Sequence, residues 1–536
     1  MRLSLAGSSW LLVLACSEPA PLGIAQQAAG VEGGWVGTWA VAPHADGTSF
    51  QNQTLRQIVR TSVGGSSVRV RLSNAFGTQP LSIDSAHVAK RANGSSIQAT
   101  TDKALLFGGQ ASISIPPGKD VTSDAVAFTV EPLSDLAVSF HVQGTPGGTT
   151  AHGTGLQDNY VAGGNVASSE TLANAQVKGS YYFLTNVDVQ NDQAWGAVVT
   201  LGASITDGVA SSGNGNRRWP NDLAKRLSDR GTPVGVLNEG ISGNRLLVDG
   251  SGQSALKRFE RDVLSQTGVR WVIFSDDPIN DLGSTKPTPS GNALIDGLKQ
   301  LVAAAHAADI EFWCSTLTPF EGAGYWSAAG ETGRAAVNAF IRSPDSGCDV
   351  VVDQDAATHD PAQPTRYLPA NDAGDHLHPN ERGLQAIADA VPLESFSAPT
   401  AAGGSGSGGA SGSANVGGAA GSATGGAVEG GGGTAGTGSA AGGMGGAHHG
   451  GASAGGTHDA GGSGGMPVGE VAGGGKPSAG TSGAGEGAST PSEPAPDSSG
   501  CACQLGGAAP RSSLPSLAWL LFGVGAISRR RSSKYS

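Results

Sequence analysis

The sequence has few cysteines, few charges and no apolar run as long as the ~20 residues of a stable membrane span. Five of its 536 residues are cysteine, and none is paired at a Cys-x-x-Cys spacing, so a cysteine-based zinc module is not read here. Charged residues make up 14% of the chain and the formal net charge is −12. Basic residues in the body of the chain occur singly or as pairs such as Lys90-Arg91 and Arg217-Arg218. The basic stripe of a nucleic-acid-binding surface is missing. Mild acidity speaks to solubility and names no partner. Aromatic residues are only 5%, a figure diluted by one biased segment. From Ala401 to Ser499 the chain is almost entirely Gly, Ala, Ser and Thr. Such a stretch buries too little apolar surface to offset its chain entropy, and it reads as a disordered linker over 401–499.

The two ends read as processing signals. Met1 to Ala15 holds one Arg and the apolar run Trp10-Leu11-Leu12-Val13-Leu14, the pattern of a short export signal. Val13-Leu14-Ala15-Cys16 also resembles a bacterial lipobox, with Cys16 as the lipidated residue. Residues 1–32 are thus an export signal or lipoprotein leader with its linker. Residues 500–536 hold Cys501-Ala502-Cys503, an apolar stretch from Leu514 to Ile527, and Arg529-Arg530-Arg531. The stretch is short against the ~20 apolar residues of a stable span. The layout resembles the tripartite sorting tails of myxobacterial surface proteins (the MYXO-CTERM type), and an ordinary membrane anchor is the plain alternative. The expectation is export to the cell surface or outer membrane, or release outside the cell. The membrane is then at least a transient partner, together with a C-terminal processing enzyme.

Between these ends lie two unlike halves. Residues 33–190 read as all-β: Ser67-Val68-Arg69-Val70-Arg71-Leu72 and Ser112-Ile113-Ser114-Ile115 alternate apolar and polar residues, as half-buried strands do. Leu136 to Val142 is a further strand candidate. Turn clusters at short spacing predict a β-sandwich or jelly roll. Residues 194–396 alternate strands and helices. Strands are expected at Ala197–Leu201, Val234–Leu237, Trp271–Phe274, Ile310–Ser315 and Asp349–Val352. Helices are expected near Trp219–Ser228, Ala255–Leu264, Ala293–Ala307 and Arg334–Ile341, with a last one following Pro379, a residue suited to a first turn. That alternation predicts an α/β domain with a flavodoxin-like parallel sheet covered on both faces. Cys314 and Cys348 fall within it, either as a disulfide of an exported protein or as two buried thiols.

Four segments of this half carry chemistry. They are Gly202-Ala203-Ser204-Ile205-Thr206-Asp207-Gly208, Asn238-Glu239-Gly240-Ile241-Ser242-Gly243-Asn244, Pro278-Ile279-Asn280-Asp281 and Asp375-His376-Leu377-His378-Pro379. Together they supply a hydroxyl nucleophile, two candidate oxyanion donors and a carboxylate–imidazole pair, the set that acyl transfer from an ester requires. Each is placed after a predicted strand or before the last helix, where open α/β sheets bind their ligands.

The four segments resemble the blocks of the SGNH (GDSL) hydrolase superfamily. Trp35 to Ala40, Asn52 to Thr61 and Arg69 to Asn74 resemble the β-rich N-terminal region of its secreted bacterial members. The resemblance spans roughly Trp35 to Val391. It implies Ser204 as nucleophile, His378 as base and Asp375 as its orienting carboxylate. The oxyanion donors would be the backbone N–H groups of Ser204 and Gly243 and the side-chain amide of Asn280. Each position also has a plain structural reading: Ser204 and Asp375 as helix caps, His378 as a surface residue, Gly243 as a turn glycine, Asn280 as a loop cap. Ser204 lacks a Gly two residues on, so this is not the nucleophile elbow of ordinary α/β-hydrolases. Asp375, His376 and His378 have no further ligand cluster near them in sequence, and neither a metal nor another cofactor is expected.

Two residues depart from the family pattern. Ala203 stands where an Asp is usual, removing a carboxylate able to organise the oxyanion loops. Pro278 stands where a Gly is usual, fixing φ and deleting an N–H. The implied function is a serine esterase or lipase-like hydrolase of carboxylic esters, whether small-molecule, lipid or carbohydrate. The alternative is a surface binding protein with a weakened site.

Overall fold

The computed structural model describes residues 32–144 and 146–399. Residues 1–31, where the leader is expected, the expected linker at 401–499 and the expected sorting or membrane segment at 500–536 lie outside the described residues.

The N-terminal region is mostly β, as expected. Its longest pairing joins Gln51–Arg60 to Asp135–Gly144, antiparallel from Asp135↔Arg60 to Gly144↔Gln51. Leu81–Asn93 flanks the other edge of Asp135–Gly144. A second antiparallel sheet runs in the order Trp35–Ala40, Leu184–Gln190, Gly65–Ser73, Val126–Val130. Alternation explains Gly65–Ser73: Val68, Val70 and Leu72 are buried in the core, and the residues between them are partly exposed. It does not explain Asp135–Gly144, which is buried on both faces. One face joins the main core through Leu136, Val138, Phe140 and Val142. The other is covered by a small cluster of Ile58, Ala89, Ala137 and Leu172. Arg56, fully buried beneath that cover, donates to Ser139 Oγ and to the carbonyls of Ser95, Ala167 and Ser169. A buried guanidinium is tolerated there because its donors find acceptors.

The C-terminal region holds a five-stranded sheet of parallel strands. In chain order these are Gly196–Gly202, Val234–Gly240, Val269–Phe274, Glu311–Ser315 and Val350–Val352, and in space the order is second, first, third, fourth, fifth. The first strand is buried throughout, as a central parallel strand must be when helices cover both faces. Every strand lies where the sequence places it, to within a few residues at the ends. The helices differ in instructive ways. Two begin earlier than expected, at Gly291 and Ala328, because Ser290 and Ser327 cap them by accepting from Ala293 N and Gly330 N. The helix opening at Ala255 turns into one π turn at Glu260–Leu264. Pro379 does not open the last helix. Asn380 does, its side chain accepting from Arg382 N and Gly383 N, which leaves Pro379 just ahead of the cap.

Cys314 and Cys348 form a disulfide, with Cα atoms 5.7 Å apart. Cys314 lies on the fourth strand and Cys348 just ahead of the fifth, so neighbouring strands bring them together.

The two regions share one hydrophobic core and form one compact unit. Val41 bridges to Asn238 at the edge of the parallel sheet. Gly37 N donates to Thr267 O, and Val236 N to Ser62 Oγ. The approach is so close that a Cβ on Gly235 would lie 2.0 Å from Gly37 O, so glycine is required there.

Candidate active site

The chain passes from the first parallel strand into a single helical turn, Ser204–Asp207. This sets Ser204 at the carboxyl end of the sheet with 9% of its surface exposed. The turn has no cap of its own from Ala203. Asp276, at the end of the third strand, supplies one instead. Its carboxylate accepts from Ala203 N (3.0 Å), Ile205 N (2.7 Å), Thr206 N (3.3 Å) and Thr206 Oγ1 (2.6 Å). The carboxylate missing at position 203 is thereby replaced from another strand, and the loop is organised after all.

The loop before the last helix brings His378 to Ser204. His378 Nε2 lies 2.9 Å from Ser204 Oγ, and its Nδ1 lies 2.6 Å from Asp375 Oδ2. With the ring proton on Nδ1, Asp375 accepts it and Nε2 is free to accept from the serine hydroxyl. Asp375 Oδ1 also accepts from Leu377 N and His378 N. Burial pushes the Asp375 carboxyl upward, but these hydrogen bonds, His378's first, outweigh it and hold the group below its usual range. His376 turns away and pairs with Asp372 at 2.6 Å. The two histidines therefore face separate carboxylates.

The oxyanion candidates are distinguished by what their neighbours do. Ala203 N and Ile205 N both donate to Asp276, and the N–H of Ser204 between them has no acceptor among the described residues. Ser242 N donates to Asp207 Oδ2 and Asn244 N to Ile241 O, and again the N–H of Gly243 between them is left without one. Gly243 has φ 79°, a left-handed conformation suited to glycine, and a Cβ there would meet Ser251 Oγ at 2.7 Å. One backbone donor without an acceptor on each of two loops that are tied together through Ser242 and Asp207 marks a place for an external oxygen. Asn280 supplies a third donor. Its Nδ2 gives one hydrogen to Asn244 O at 2.9 Å, and Tyr325 Oη donates to its Oδ1 at 3.1 Å. The amide is thus oriented, with its second Nδ2 hydrogen unspent.

Asn280 lies on a helix, Asp277–Ser284, and so is not the loop cap of its plain structural reading. Pro278 reads as a breaker but occupies the first turn, where the missing N–H has no intrahelical partner to lose. Arg217-Arg218-Trp219-Pro220 likewise opens the helix Trp219–Arg230.

Four further residues brace these loops, and sequence reasoning missed their roles. Asp276 holds the serine turn. Asp281 accepts from Leu246 N and Leu247 N, and burial raises its carboxyl to about 6. Asp207 holds Ser242. Arg258, fully buried, donates to Gly202 O (3.0 Å), Glu239 O (2.7 Å) and Asn244 Oδ1 (3.1 Å). It joins the first two segments from beneath. Asp207 and Asp281 fall inside the quoted segments and Asp276 just ahead of one. No local pattern identifies their partners.

A strand-edge serine, an imidazole on its hydroxyl, a carboxylate behind the imidazole and unclaimed donors beside it define a hydrolase of the serine class. Residues 200–386 match the family model described as GDSL-like Lipase/Acylhydrolase family. Over those residues the chain is similar to that family, and it is a serine ester hydrolase. Among solved structures it is similar to a variant of an acetyl xylan esterase from Geobacillus stearothermophilus, at 22% identity over 39% of this chain and 98% of that one, TM-score 0.30. It is similar also to a GDSL-like lipase from Bacteroides thetaiotaomicron, at 17% identity over 36% and 84%, TM-score 0.28. A third is an α/β hydrolase from the metagenome of Lake Arreo, at 24% identity over 37% and 93%, TM-score 0.28. No curated protein matches the chain by sequence.

Proposed function

We propose that this chain cleaves carboxylic esters through an acyl-enzyme, with Ser204 as nucleophile, His378 as general base and Asp375 as its orienting carboxylate. His378 Nε2 takes the hydroxyl proton as Ser204 Oγ attacks the carbonyl carbon. The carbonyl oxygen gains charge and is met by the N–H groups of Ser204 and Gly243 and by Asn280 Nδ2. His378 then returns the proton to the departing alcohol, and water activated by the same imidazole releases the acid. The observation that carries this reading is the unbroken chain Ser204–His378–Asp375 at 2.9 Å and 2.6 Å. It favours catalysis over a binding-only role, since a lapsed site has no need of that alignment. We read the parallel sheet as flavodoxin-like, supported by its second-first-third-fourth-fifth strand order, and the N-terminal sheets as a sandwich, supported by their common core.

The test is hydrolysis of p-nitrophenyl esters of graded chain length by the purified protein. Turnover that saturates with substrate is expected. Failure on every chain length, from acetate to palmitate, would remove the ester-hydrolase reading and leave the binding protein.

We also propose that the protein is exported. The Cys314–Cys348 disulfide supports an oxidising compartment. On this reading Ala401 to Ser499 is a spacer at the cell surface, and the segment after Cys501-Ala502-Cys503 is removed after export. Mass spectrometry of the protein from native cells is expected to find no peptide ending at Ser536. Its recovery from the surface fraction would make the segment a retained anchor.

A further inference from the structure

The N-terminal β region places one side chain against the catalytic loops. His152, at the end of the strand Thr149–His152, reaches Asp207 with Nε2 3.0 Å from Oδ1. Its other nitrogen, Nδ1, lies 3.0 Å from Ala42 O. Both side chains are almost wholly buried, at 5% and 3% exposure. Asp207 is the last residue of the turn that begins with Ser204, and Gly208 N donates back to Ser204 O. Its second oxygen, Oδ2, accepts from Ser242 N at 2.9 Å and Ser242 Oγ at 2.6 Å. Ser242 Oγ also accepts from Thr154 Oγ1 at 3.1 Å. The residue before Gly243 is thus gripped by the serine turn on one side and by the β region on the other.

We infer that His152 is a positioning residue for ester hydrolysis, holding Asp207 as a carboxylate so that Asp207 and Ser242 fix the Gly243 N–H beside Ser204. This rests on the reading of Gly243 as an oxyanion donor. A carbonyl oxygen only accepts, so Nδ1 carries a proton for Ala42 O. Asp207 already accepts two hydrogen bonds at Oδ2, and its Oδ1 faces Nε2, which therefore carries a proton too. His152 is an imidazolium paired with a buried carboxylate.

The surroundings agree. Burial acts to lower the His152 pKa, but the Asp207 charge, its hydrogen bond and the Ala42 carbonyl outweigh both burial and the nearby Arg218, leaving it raised. Burial acts to raise Asp207, and His152 foremost outweighs it, leaving it lowered. The other groups facing His152 are Tyr181 and His44, with ring centres at 6.5 Å. Tyr181 Oη donates to Ile58 O. His44 Nε2 accepts from Gly153 N and its Nδ1 faces Ala45 O. Arg218 is itself engaged with the backbone carbonyls of Asp207 and Gly155. Among the described residues His152 Nε2 is the hydrogen-bond partner of Asp207 Oδ1.

The pH consequence has a definite sign. A raised histidine keeps its contribution below its ordinary value, about 6.5, and loses it as pH rises through the raised value. A lowered aspartate loses its contribution only as pH falls through the lowered value. The pair is whole between the two and opens on the alkaline side. Opening frees the Ser242–Gly243 segment, which acts on the transition state and not on ground-state binding. The alkaline fall therefore belongs in kcat, with KM flat.

The experiment follows kcat and KM for p-nitrophenyl acetate against pH, up to about pH 9, with the full chain. Wild type, His152→Gln, His152→Phe and Ser204→Ala are compared, with thermal melts alongside. Wild type is expected to lose kcat on the alkaline side with the slope of one proton. His152→Gln keeps an N–H for Asp207 that does not titrate, so it should hold kcat within about tenfold and lack the alkaline fall. His152→Phe should lose about 10²-fold in kcat, the usual cost of a misplaced oxyanion donor, with KM little changed. If the phenylalanine variant does not fold, wild type and His152→Gln decide the matter. An alkaline fall that persists unchanged in His152→Gln, or wild-type kcat in a folded His152→Phe, overturns the inference alone. Turnover that survives Ser204→Ala overturns the acyl-transfer reading and this inference with it.

Discussion

Ser204→Ala is expected to lower kcat for p-nitrophenyl ester hydrolysis by about 10⁵–10⁶, to the residual level that a site with donors but no nucleophile sustains. The hydroxyl oxygen is the atom that forms the acyl bond, and His378 Nε2 stands 2.9 Å from it. The fold should tolerate the change. Ser204 is the first residue of its helical turn and is not the cap, a role filled by Asp276. Only one hydrogen bond is lost, worth about 1 kcal/mol. The melting temperature should therefore stay near that of the parent while turnover disappears. A fluorophosphonate probe should label the parent at Ser204 and leave the alanine variant unlabelled. Label at a different serine would assign the nucleophile elsewhere.

Asn280→Ala should cost ~10²–10³ in kcat, the range for loss of one oxyanion donor. KM should stay within a few-fold, because the second Nδ2 hydrogen has a partner only when charge develops on the substrate oxygen. The variant also leaves Asn244 O and Tyr325 Oη without their partner, a loss of about 1–3 kcal/mol in stability. The melt will register that loss, and it must be separated from the kinetic one by assaying well below the transition. If the effect instead falls on KM with kcat intact, Asn280 binds the ground state and is not an oxyanion donor.

Much of this site is legible in the chain because its chemistry is local. Asp375 and His378 are three residues apart on one loop, so the carboxylate–imidazole bond needs no distant partner. Ser204, Gly243 and Asn280 each follow a strand whose apolar run is plain in the sequence. The strand positions themselves follow from burial: an apolar run covered on both faces is hard to mistake. The departures at Ala203 and Pro278 were legible as residues, but their structural setting was not. Their consequences depend on what stands opposite. Asp276, 73 residues further on, supplies the carboxylate that Ala203 lacks. Pro278 sits in the one turn of a helix that does not need its N–H.

The sequence alone determined the order of strands and helices in the second region and the β-rich first region, while the resemblance implied the hydroxyl, imidazole and carboxylate. The first two rest on periodicity, and only the Asp375–His378 pair is a contact between near neighbours. Only the tertiary structure decided the rest. It joined Cys314 to Cys348 by setting the fourth and fifth strands side by side. It left the N–H groups of Ser204 and Gly243 unclaimed while giving every flanking N–H an acceptor. It drew Asp276, Arg258 and His152 to loops that lie tens of residues away along the chain. A buried charge is stable only where its partners converge, and that convergence is a property of the packed molecule, with no trace in the spacing of residues along it.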